Sequence, residues 1–184
     1  MEIKITTNHI LKVLQLLSWI IFIGLCIEAG GIFFNACYAF FINSGKAFSF
    51  LEGIDLSSLY NFDSGYFLVL ALIMTIISTF KAILFYLIVK LFTEKKLNLS
   101  QPFSKILRQF ILKFSYLTLA IGIFCNFGYN YTLWFEKQGI ILDNLLLIRF
   151  AGSDVWFFMT VVLFVIAQLV KKGIEIQNEN DLTI

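Results

Sequence analysis

The chain has 184 residues, of which 59% are hydrophobic types, 17% aromatic and only 14% charged, with 22 Phe, 1 Pro, 1 His and a formal net charge of +2. Its mean hydropathy is +0.86, whereas a soluble domain carries about 25% charged residues. There is too little polar surface to wrap a water-soluble globule. The same composition excludes a disordered chain, a collagen-like repeat, a nucleic-acid-binding surface and a haem held by two histidines.

Four stretches meet the roughly 20 mostly apolar residues that a transmembrane helix needs. In chain order they are about 11–42, 66–92, 110–134 and 140–170. They are too long and too continuously apolar for membrane strands, which alternate over about 10 residues. The first run is about twice the ~7–15-residue apolar core of a cleaved signal peptide, so it reads as a retained helix. The first and fourth exceed the minimum and are expected to tilt or to extend past the lipid.

The connections carry their own signals. Segment 43–65 holds Phe48, Phe50, Leu51, Ile54, Leu56, Leu59 and Tyr60 among Glu52, Asp55 and Asp63. Two readings are open there: a short amphipathic helix lying on the outer leaflet, or a lid packed on the bundle. Further on, Ser100-Gln101-Pro102-Phe103-Ser104 places a Pro behind a Ser, which signals a helix start. Lys105, Arg108 and Lys113 follow at roughly helical spacing, a pattern expected at the lipid headgroups.

Cations set the orientation. Lys4, Lys12, Lys90, Lys95, Lys96, Lys105, Arg108, Lys113, Lys171 and Lys172 gather on one side, against Lys46, Lys137 and Arg149 on the other. The positive-inside rule puts both termini and the 93–109 loop in the cytoplasm. The expected fold is an all-α membrane protein, a four-transmembrane-helix bundle of residues 1–170 with a cytoplasmic tail, 171–184. The expected location is the inner (cytoplasmic) membrane, multi-pass.

Ionisable groups inside spans are costly and mark candidate sites. Counted from the inner cations at about 1.5 Å per residue, Glu28, Lys81, Asn126 and Asp154 lie about 24, 21, 20 and 26 Å deep. Each of the four spans thus supplies a polar group at one level. Helical stripes support inward faces: Gly24, Glu28, Gly31 and Asn35; Thr75, Ser78 and Lys81; Ser115, Thr118, Gly122, Asn126 and Asn130. Small and hydroxylated residues at such spacing mark helix contacts in lipid. The economical arrangement sets Lys81 between Glu28 and Asp154 with Asn126 beside them. One acid is then in excess, either to hold a proton or to pair with Arg149 nearer the outside. A polar clamp and a ligand or proton site are both open for this layer.

Other chemistry has no motif. His9 is alone, and Cys26 and Cys37 are 11 residues apart on one helix, roughly 16 Å, too far for a disulfide. Buried thiols are expected for the cysteines, Cys125 included. The sequence contains no H-E-x-x-H, G-x-S-x-G, G-x-x-x-x-G-K or G-x-G-x-x-G, the patterns that would signal a metalloprotease, a hydrolase or a nucleotide site. Neither enzymatic activity nor a cofactor or metal is expected.

The ending reads Lys171-Lys172-Gly173-Ile174-Glu175-Ile176-Gln177-Asn178-Glu179-Asn180-Asp181-Leu182-Thr183-Ile184. A short acidic and apolar tail of this kind suits a fraying terminus. With the chain's size, its four spans and the Pro102-Phe103 pair, this ending resembles a bacterial membrane family catalogued as domain of unknown function 2975. The resemblance extends over essentially the whole chain and is most specific at 173–175 and 179–184. Members are often encoded beside a small helix-turn-helix regulator. The resemblance therefore implies that Glu175, Glu179, Asp181, Leu182, Thr183 and Ile184 contact such a partner, and it supplies no catalytic residues. The expected role is a non-enzymatic regulatory or sensory bundle in the lipid bilayer, without direct nucleic-acid contact. The alternative is a small transporter or lipophilic-ligand-binding bundle using the polar layer. Four helices make a thin wall around a pore, so that alternative implies a homo-oligomer, and no inverted repeat or broken-helix pair supports it.

Overall fold

A backbone crossing hydrocarbon must satisfy its own N–H and C=O groups, and a helix does so within one segment. In the computed structural model, which describes residues 7–41, 56–94, 103–140, 142 and 149–181, the chain meets this demand with helices. They are α1 (Thr7–Phe41), a short α2 (Ser57–Phe62), α3 (Ser64–Thr93), α4 (Lys105–Lys137) and α5 (Ser153–Asp181). All but α2 are long and apolar enough to cross a membrane.

Local chemistry sets the ends. Asp63 caps α3, its carboxylate accepting from the N–H of Gly65 at 2.7 Å and of Tyr66 at 3.1 Å. Ser104 caps α4, its hydroxyl accepting from Leu107 N–H at 3.1 Å. Ser104 is thus the cap of α4; Ser100 and Pro102 lie outside the described residues. Beyond α4, Gly139 takes a φ of +83°. That left-handed conformation ends a helix cheaply only without a Cβ.

The main helix contacts follow chain order as a row: α1 on α3, α3 on α4, α4 on α5, with α2 on α3. Neighbours run antiparallel. Along α3 and α4, Tyr66 meets Phe135 and Phe80 meets Phe124, at ring separations of 5.5 and 5.8 Å. Along α4 and α5 the register is kept from end to end. Phe103 covers Gly173, the Thr118 and Thr160 hydroxyls meet at 2.9 Å, Trp156 and Phe157 cover Gly122, and Phe150 covers Gly128. The fully buried side chains include Leu56, Leu59, Phe67, Leu70, Met74, Ile121, Phe135 and Phe150. The core thus lies between α3 and α4, towards α2. On α1, by contrast, Leu16, Ile20, Ile27, Phe34 and Phe41 are all more than half exposed, as suits a helix surrounded by acyl chains.

Two expectations shift. The fourth span begins at Ser153 rather than 140, and its helix continues through the expected tail to Asp181. Ahead of α5, described residues pack beside α4. Ile140, Leu142 and Phe150 are buried, and Phe150 sits over Gly128, nine residues or about 14 Å along the helix from Lys137. Gly152, at φ +84°, then breaks the backbone ahead of α5. In the 43–65 connection, Leu56 and Leu59 are fully buried and Tyr60 packs edge-on to Phe67 at 5.2 Å. The described part is therefore a lid on α3; Phe48, Phe50, Leu51, Glu52, Ile54 and Asp55 lie outside the described residues.

Candidate functional site

An acid within a span must find a donor, because hydrocarbon offers none. Glu28, midway along α1, finds two. Arg149 Nη2 donates to Glu28 Oε1 at 2.5 Å, and the Ser78 hydroxyl on α3 donates to the same oxygen at 3.3 Å. Arg149 Nη2 also lies 3.5 Å from Ser78 Oγ, which accepts from it. The Arg149 and Glu28 side chains are 13% and 27% exposed, and Ser78 is buried. One carboxylate, one guanidinium and one hydroxyl thus tie α1, α3 and the residues before α5 together. Charge-assisted bonds of this kind are about twice as strong as neutral ones.

The other members of the expected layer are placed differently. Lys81 is half-buried, three residues beyond Ser78, and within electrostatic range of Cys125. Among the described residues no ion pair joins it to Glu28 or Asp154. Asn126 is exposed, and its carbonyl groups accept from Asn130 Nδ2 at 2.8 and 3.2 Å. The small-residue stripe of α4 runs instead through Ser115, Thr118, Gly122, Cys125, Gly128 and Thr132, all buried. Asn126, one residue beyond Cys125, is turned about 100° away from that stripe. Asp154 stands exposed in the first turn of α5, where a carboxylate suits the positive end of the helix dipole. The later start of α5 puts it there. Arg149, the reserve partner in the sequence, is the cation that Glu28 uses.

At the opposite end, Glu175 accepts from Lys172 at 3.2 Å and lies 3.9 Å from Lys171. Phe103 packs on Gly173 so tightly that a Cβ there would stand 2.6 Å from its ring. Phe103 and the start of the ending, far apart in the chain, are thereby neighbours. Glu175 and Glu179 are exposed on the last turns of α5. The Asp181 side chain, Leu182, Thr183 and Ile184 lie outside what is described. Cys26, Cys37 and Cys125 are free thiols. Among the described residues no group of three His, Cys, Asp or Glu is placed to hold a metal.

Helices this long and apolar, joined by an interior ion pair, define an all-α protein with four segments able to span a membrane. Within that class, the chain belongs to the family described as "Protein of unknown function (DUF2975)", whose model matches residues 51–184. The match takes in α2 to α5, Phe103 and the whole ending. It is narrower than the whole-chain resemblance, because α1 lies outside it. The Glu28–Arg149 pair therefore joins a helix outside the matched region to one of its residues. No curated protein and no solved structure matches the chain.

Proposed function

We propose that this is a non-enzymatic regulatory or sensory protein of the inner membrane, with both termini cytoplasmic, whose C-terminal helix end holds a small helix-turn-helix regulator. The observation that supports it is the length of α5. Its 29 residues extend about 44 Å, against a hydrocarbon core of about 30 Å. The apolar run closes at Val170, and residues 171–181 continue as helix for about 16 Å. That projection presents Glu179 and Glu175, the latter engaged by Lys171 and Lys172, beside Ile176, which is half exposed. An acidic face with an apolar anchor suits a basic protein partner. The ion pair at Glu28 holds α1 against the rest, so a disturbance of α1 in the bilayer reaches the segment that leads into α5. Deleting residues 175–184 is the test: transcription from the regulator's target promoter changes by several-fold in cells that keep the truncated protein at normal abundance. Unchanged transcription ends this reading. The transporter alternative has no observation in its favour, since Asn126 and Asp154 do not converge with Glu28.

A further inference from the structure

We infer that the cleft between the start of α4 and the end of the apolar run of α5 binds the phosphodiester of an anionic phospholipid headgroup. The cleft measures about 310 Å³, at the lower end of small-molecule sites. Lys105, Arg108 and Gln109 line it from α4, and Lys171, Glu175 and Asn178 from α5. Three cations thus face one carboxylate. That carboxylate is already engaged by Lys171 at 3.9 Å and Lys172 at 3.2 Å. Among the described residues neither Lys105 nor Arg108 forms an ion pair. The Nε of Arg108 is buried and has no hydrogen-bond partner, which is a rare and costly condition for a charged donor. A phosphate oxygen in the cleft offers the guanidinium an acceptor once the side chain turns its Nε outward, and the planar fork matches that geometry.

The level of the cleft selects the lipid as the source of the phosphate. Ile174 lines the cleft and packs against the buried cluster of Ile111, Ala167 and Val170, and Lys171 is the first cation after the apolar run of α5. This is the boundary where headgroups lie and where basic residues meet anionic lipids. The inference does not depend on the regulator reading.

The test is native mass spectrometry of the purified full chain, titrated separately with phosphatidylglycerol, phosphatidylcholine and inorganic phosphate. Phosphatidylglycerol is expected to bind one per chain, about tenfold tighter than phosphatidylcholine, whose own ammonium faces the cations. At roughly fivefold per cation near a surface, R108Q/K171Q weakens phosphatidylglycerol by about 25-fold. Arg108→Lys retains most of the binding, and Lys137→Gln, at the other end of α4, leaves it unchanged. Should the double variant fail to elute as a single species, Lys105→Gln on an exposed side chain is expected to give about a fivefold loss. Equal binding of the two lipids, or variants that bind as the wild type does, overturns the inference. Displacement of the lipid by millimolar inorganic phosphate overturns the lipid source and reassigns the site to free phosphate.

Discussion

Replacing Arg149 with Met strips Glu28 of its cation and leaves a carboxylate with only the Ser78 hydroxyl 3.3 Å away. Breaking a buried pair costs about 3–5 kcal/mol, because one charge stays behind uncompensated. The 27% exposure of Glu28 places this case at the lower end, about 3 kcal/mol. For a chain of this size each kcal/mol moves the midpoint by about 2–4 °C, so melting falls by about 6–12 °C. Glu28→Leu alone takes the carboxylate away from Arg149, which keeps the Ser78 hydroxyl at 3.5 Å, and is expected to cost no more than Arg149→Met. The double variant E28L/R149M removes both charges, and exchanging a buried pair for apolar side chains is often close to neutral. It is expected to melt within about 4 °C of the wild type. Lys81→Met, outside the pair, is expected to shift melting less than either single variant. Thermal unfolding of the purified protein in detergent micelles, followed by Trp fluorescence, measures all four. Single costs that simply add in the double variant, within about 0.5 kcal/mol, refute the pairing.

Other consequences follow from the α4–α5 seam. A Cβ at Gly128 would stand 2.6 Å from the Phe150 ring, so Gly128→Ala lowers stability by about 1–3 kcal/mol in the same melting assay, and Phe150→Leu in that background recovers part of it. Thr118 and Thr160 hold two hydroxyl protons between three acceptors: each other, Ser115 O and Trp156 O. One Thr therefore donates across the seam while the other donates to backbone. Changing each to Val, singly and together, is expected to show a coupling of about 0.6–1.7 kcal/mol by melting; a coupling of zero removes the cross-seam bond from the account. Because α4 and α5 run antiparallel, single cysteines at Lys137 and Glu175 in a background without the three native thiols label with membrane-impermeant maleimide from opposite sides of sealed vesicles. Labelling of both from one side contradicts the spanning arrangement.

Much of the fold was legible because hydrocarbon leaves the backbone few options. Four apolar runs became four long helices, and the stripe of Ser115, Thr118 and Gly122 became the buried seam of α4. The rotation of polar groups was harder to read. Glu28 and Ser78 share a level and meet, yet Asn126 is turned outward by a single residue's step of about 100°, which a stripe drawn in steps of four does not track. The fourth span misled in a different way. Residues 140–152 are apolar enough to read as membrane helix, but the chain spends Ile140, Leu142 and Phe150 on packing beside α4. Arg149 reaches Glu28, and Asp154 falls at the exposed start of α5. The contact between Phe103 and Gly173 joins residues 70 positions apart, and no local pattern announces it.

Docking of a regulator on the projecting end of α5 carries the proposed function. Its most direct measurement is co-purification of the helix-turn-helix protein with the full chain and with the 1–174 truncation, both extracted from membranes at matched amounts. Stoichiometric regulator is expected with the full chain, and at least a tenfold loss with the truncation. Equal recovery of the regulator from both, or none from either, contradicts it.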